Sequence, residues 1–108
     1  MNIIASTTSD KKEIFRITRA MNTGKMADLE GQTIHPDAWV LYEDADRESG
    51  EVREVLAMVI DGNVYGTISQ SFINQFRDMV DVFAEDFDFT VASATSKAGR
   101  KFIFPVIA

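Results

Sequence analysis

Cysteine is absent from the chain, histidine occurs once, at His35, and 108 residues contain only two prolines. The first absence excludes a disulfide scaffold and every thiolate metal site; the second leaves no imidazole cluster for zinc or for a catalytic dyad. No apolar run approaches the ~18 residues of a membrane span, and Met1-Asn2-Ile3-Ile4 lacks the basic region and long apolar stretch of a leader. The sequence therefore reads as cytoplasmic and soluble, with no metal, no cofactor and no membrane partner. Bases are also scarce. Eleven Lys and Arg stand against 17 Asp and Glu, a formal net charge of −6 that taken as a sum argues against a nucleic-acid partner.

What is present changes that reading. Hydrophobic residues make up 45% of the chain, enough for one core in one domain. The charges are segregated: residues 28–61 hold ten acids and two bases, and residues 78–88 hold five acids and no base. Lys11, Lys12, Arg16, Arg19 and Lys25 cluster near the start, and Lys97, Arg100 and Lys101 near the end.

Periodicity supplies the elements. Residues 1–12 read as a flexible arm and 13–108 as a single domain. Glu13 to Ala20 alternates as a first strand, and 21–31 is a connection with one helical turn near Met26 to Glu30. Thr33 to Glu43 is a second strand, bent or forced to an edge by Pro36. Glu51 to Ile60 and Val64 to Ile68 flank Asp61-Gly62, the pair a tight hairpin favours. Phe72, Ile73, Phe76, Met79, Val80 and Phe83 then form one helical stripe, capped by Ser69. After the acidic turn Glu85-Asp86, Phe87 to Ala92 and Phe102 to Val106 alternate about the loop Thr95 to Arg100. This order predicts a mainly β chain with one helix, an OB-fold-like antiparallel barrel of five to six strands, with an open α+β sandwich as the alternative the same string allows.

No active site emerges. The acidic loop Asp44 to Gly50 has its glycine one residue late for a calcium loop, and Val55 stands where a bidentate Glu is needed. His35 beside Pro36 has no Ser or Cys companion. The remaining constellation is basic and aromatic: in a barrel the first strand and the last hairpin converge, so Arg16, Arg19, Lys97, Arg100 and Lys101 would line one groove. Cations neutralise phosphates while aromatic rings stack on bases of any sequence, which suits a single strand. Tyr42, Tyr65, Phe102 and Trp39 are the available rings; Tyr65, on the face opposite Val64 and Gly66, is expected to point outward, and Phe102 and Phe104 into the barrel.

The run Asp61-Gly62-Asn63-Val64-Tyr65-Gly66-Thr67-Ile68-Ser69, the Phe72 to Phe83 helix and Thr95-Ser96-Lys97-Ala98-Gly99-Arg100-Lys101-Phe102 resemble the small single-stranded-DNA-binding proteins of bacteriophages with protein-primed replication. The resemblance covers roughly the last fifty residues and, more faintly, Ile14 to Ile34. It implies a non-enzymatic protein that coats displaced single strands in the host cytoplasm, with Tyr65 matching a family tyrosine that stacks on bases and Tyr42 a looser match. An acidic body repels DNA at long range, so coating would depend on high concentration or on self-association along the strand. The rival expectation is an acidic phage-type inhibitor, its carboxylates from Glu43 to Glu54 imitating a phosphate backbone for a basic host protein.

Overall fold

The computed structural model describes residues 1–84 and 86–108; Glu85, half of the expected acidic turn, lies outside them. Along the chain run β1 (Asn2–Ser6), α1 (Lys11–Thr18), β2 (Gly24–Lys25), a 3-10 turn (Met26–Leu29), β3 (Thr33–Ile34), β4 (Ala38–Ala45), β5 (Val52–Ile60), β6 (Asn63–Thr67), α2 (Gln70–Phe83), β7 (Phe89–Thr95) and β8 (Lys101–Ile107). They form two sheets, β1-β4-β5-β6-β2 and β3-β7-β8. The first is mixed, because β2 runs parallel to β6.

The fold is mainly β with two helices, and its sheets do not close into the expected barrel. Pro36 is the physical reason. It has no N–H for a ladder, and the run Thr33 to Glu43 breaks there. Thr33 and Ile34 pair with β7, whereas Ala38 onward pairs with β5. The two halves of one predicted strand thus belong to different sheets, and the last hairpin follows the first half.

Two further expectations are corrected at the N-terminus. Residues 2–6, read as part of a loose arm, pair antiparallel with β4 as an edge strand, and Thr7 extends the contact through bonds to Trp39. Glu13 to Ala20, read as a strand, is mostly helix. Asp10 caps it, accepting from the Lys12 N–H at 2.9 Å, and Glu13 lies three residues on, the spacing of a capping signature. Ile14 and Ile17 face inward at i and i+3, and the buried Thr18 hydroxyl donates to the Ile14 carbonyl at 2.8 Å.

The other elements follow their sequence signals. Asp61 and Gly62 have φ of 51° and 80°, both positive, as a two-residue primed hairpin requires. Ser69 caps α2, and Phe72, Ile73, Phe76 and Met79 are buried. They pack between Trp39, Leu41, Leu56 and Met58 of the first sheet and Phe89 and Val91 of the second. Phe76 sits at the centre, its ring edge-on to Trp39 at 5.3 Å and to Phe89 at 5.8 Å. Truncating such a ring to alanine costs about 3–5 kcal/mol.

The five-stranded sheet is covered on both faces, which decides where the site residues end up. Trp39 and Leu41 face the main core; Val40 and Tyr42, one residue out of phase, face a second cluster with Ile17 of α1. The helix α1 therefore lies on the far side of this sheet from the last hairpin.

Candidate nucleic-acid interface

The turn between β7 and β8 is built around Ser96. Its carbonyl accepts from the Gly99 N–H at 2.9 Å, its hydroxyl accepts from the Arg100 N–H at 3.1 Å, and its own N–H donates to the Arg100 carbonyl at 2.8 Å. Gly99, at φ 81°, supplies the left-handed residue the turn needs. The result is a closed, hydrogen-bonded tip that leaves Lys97 and Arg100 in solvent. Among the described residues neither makes an ion pair, whereas Arg19, Arg53, Arg77 and Lys101 do.

Lys101 opens β8 and turns toward the 3-10 turn, where its ammonium lies 2.9 Å from both carboxylate oxygens of Glu30. Hydrogen bonds from Ser93 and Lys101 hold the Glu30 carboxyl below its ordinary value. Beside this pair opens a groove of about 700 Å³, lined by Lys25, Glu30 and Lys101 together with Ile68 and Phe102. Ile68 and Phe102 are among the exposed large apolar residues. Lys25 belongs to this groove, which sequence distance hid, since β2 is only two residues long and is fixed by its parallel pairing with β6.

The expected single strip of five cations does not form. Lys97, Arg100 and Lys101 share the last hairpin. Arg16 lies on α1 and lines a separate shallow concavity with Lys11, Lys12 and Phe15. Arg19, at the end of that helix, is bonded to Asp44 at 2.9 Å and holds the Asp44 carboxyl below its usual range. The helix packs on the opposite face of the five-stranded sheet, so the two groups are separated by the sheet itself.

The rings also differ from expectation. Tyr42 is 7% exposed, packed beneath α1 with its hydroxyl donating to the Thr18 carbonyl at 3.4 Å, and burial pushes its phenol above the ordinary value. A ring so placed has no face to offer a base. Tyr65 is half-buried and packs against the main core, over Gly24. Facing away from Val64 did not mean facing solvent, because both sides of this sheet are covered. Trp39 is buried. Conversely, Phe102 and Phe104, expected inside a barrel, stand on the face of the small sheet that points away from the core, while Phe87 and Phe89 are buried as read.

The acids are largely engaged with their own chain. Asp44 is held by Arg19, and Asp46 accepts from the Glu48 and Ser49 N–H groups, which lowers its pKa. Glu54 meets Gln70 and Arg77. Among the described residues no group of three or more His, Cys, Asp or Glu side chains could hold a metal ion, and no helix is long and apolar enough to cross a membrane.

Comparison with known proteins points the same way as the basic hairpin. A family model described as Phage Single-stranded DNA-binding protein matches residues 2–107, nearly the whole chain. Neither a curated protein nor a solved structure matches it.

Proposed function

The chain belongs to the Phi29-type phage single-stranded DNA-binding protein family, and from that membership we propose that it binds single-stranded DNA without sequence preference, as a non-enzymatic coat, during phage replication in the host cytoplasm. The phosphates are held by Lys97 and Arg100, with Lys25 across the groove, while Lys101 lies in the same path but is paired with Glu30. Arg16, with its neighbours Lys11 and Lys12, gives a second point of phosphate contact on the other side of the molecule, and Arg19 is tied to Asp44. The observation that carries this reading is the turn closed by Ser96, which exposes two cations that have no carboxylate partner among the described residues, on an otherwise acidic chain. Contacts of that kind bind any sequence, because every nucleotide carries the same phosphate.

The cationic patch is local and the net charge is −6, so attraction acts only over about a Debye length while the body repels. Binding should therefore weaken steeply with salt. Fluorescence titration with an unstructured oligonucleotide across a salt series tests this: Lys97→Ala or Arg100→Ala should each make the log–log slope shallower by about 0.7, the counterion release per phosphate on a single strand. Absence of binding at low salt would end the reading, and a stoichiometric host protein captured in its place would favour an inhibitor.

A further inference from the structure

We propose that the outer face of the β7–β8 hairpin, carrying Phe102 and Phe104 above Ala94 and Ala92, is the surface on which bases of the bound strand stack. The inference rests on the single-strand reading above and assigns to phenylalanines the role that the tyrosines' positions deny them.

The face follows from the register. Ala94 pairs with Phe102, Ala92 with Phe104 and Thr90 with Val106. The alternate residues Phe89, Val91 and Ile103 belong to the core cluster or pack on it, and Pro105 is fully buried. Side chains alternate across a strand, so the first set points away from the core. Phe102 is 38% exposed and Val106 42%. The two phenyl rings lie 5.9 Å apart and 39° from parallel, neighbours on one strand. Opposite them are alanines, too small to cover a ring. Phe104 is half-buried beside Phe102, so the face presents one open ring and the accessible part of a second, an apolar patch of the kind that marks a binding surface.

The chemistry of the surroundings selects the occupant. Lys97 and Arg100 cap the same hairpin, and Phe102 shares its groove with Lys101 and Lys25. Phosphates gripped at the turn would leave the attached bases over Phe102 and then Phe104. Only an unpaired strand can present base faces in this way, since a duplex hides them in its stack. A second copy of the chain fits less well. Ser96 with Arg100 and Ala108 with Asp88 bond through their N–H groups, so even-numbered N–H groups of β8 turn inward to β7. Pro105, which has no N–H, therefore falls on the free edge and interrupts it for strand addition.

The test uses the full chain, oligo(dT), and an abasic oligonucleotide with the same number of phosphates. Phe102→Leu and Phe104→Leu keep the apolar bulk and remove the ring; each should lose roughly 5- to 150-fold in affinity for oligo(dT), the range of one stacked base. Affinity for the abasic strand and the salt slope should not move, and Phe102→Tyr should restore binding. Lys97→Ala, in contrast, weakens both strands alike. If wild-type protein binds oligo(dT) and the leucine variants bind it equally well, the stacking face is wrong while the single-strand reading stands. If wild-type protein binds neither strand, the single-strand reading itself fails. Leucine variants that change the sedimentation coefficient and leave affinity per protomer unaltered would make this face a contact between copies, which also overturns the inference.

Discussion

Lys101 and Glu30 meet at 2.9 Å across the mouth of the groove, joining the first residue of β8 to the end of the 3-10 turn. Both side chains are exposed enough for water and salt to screen them, so the pair is worth little to folding. Its effect on binding is larger in kind: the cation best placed between hairpin and groove is already facing a carboxylate. Replacing Glu30 with Gln removes that competitor and one negative charge near the phosphate path. Single-strand affinity should rise at low salt, and the salt slope should steepen by about 0.7 as Lys101 takes up a phosphate. Unchanged affinity and slope in titrations of Glu30→Gln would place Lys101 outside the binding surface.

Tyr42 gives the second prediction, because its burial separates stability from binding. Tyr42→Phe keeps the packed ring beneath α1 and loses one long hydrogen bond to Thr18, a cost of about 0.5–1 kcal/mol. Tyr42→Ala leaves a hole among Ile17, Val40 and Ala57 and should cost about 3 kcal/mol or more. Denaturant midpoints read both. Affinity of the folded variant for oligo(dT) should stay at the wild-type value; a loss in Tyr42→Phe with stability retained would return this ring to the binding surface.

How far the sequence could be read shows in the same residues. The α2 stripe, the Ser69 cap and the Asp61-Gly62 turn are local signals, and the fold obeys each, whereas Pro36 breaks the strand it was expected only to bend or move to an edge. The first helix was misread because Ile14, Phe15 and Ile17 satisfy a two-residue and a 3.6-residue period over so short a stretch. The Asp10 to Glu13 spacing was the clue that separated them. Face assignment failed for a different reason. Parity along a strand says which residues share a side, never whether that side is covered. Tyr42 and Tyr65 lie on opposite faces of one sheet and neither stands clear, because α1 covers one side and the core fills the other. Phe102 and Phe104 lie on a sheet covered only once; Phe102 is exposed and Phe104 half-buried. The cations of α1 and of the last hairpin could be listed from sequence, but not the sheet between them.

Gly24 tests how tightly β2 is held against β6. A Cβ built there would lie 2.8 Å from Cδ1 and 2.9 Å from Cε1 of Tyr65, closer than carbon atoms approach, so the half-buried ring must shift. Gly24→Ala should destabilise by about 1–3 kcal/mol through overpacking. Pairing it with Tyr65→Leu, which clears the space, should recover part of that loss, so that the double variant is more stable than the sum of the single changes predicts. Additive losses in urea unfolding would mean that ring and glycine do not meet. Because Lys25 rides on the same short strand, Gly24→Ala should also weaken single-strand binding if Lys25 holds a phosphate.

His35 provides a pH signal that can be assigned without ambiguity, as it is the only histidine in the chain. Its Nδ1 lies 2.6 Å from an Asp88 carboxylate oxygen, tying the segment before β4 to the segment before β7. The hydrogen bond to Asp88 raises the pKa of the ring above 6.5, and the charges of Asp88, Asp86 and Asp37 act in the same direction. In the unfolded chain the ring titrates near 6.5, so the folded state binds its proton more tightly. The stabilisation is therefore complete below about pH 6.5 and disappears as pH rises through the raised folded value. The window to scan is about pH 5.5 to 7.5, which spans the ordinary value of the ring. Thermal midpoints of the wild type should fall across that window, and His35→Gln should flatten the decline, with Asp88→Asn doing the same from the other partner. A slope that survives both substitutions would show that the ion pair does not form in solution.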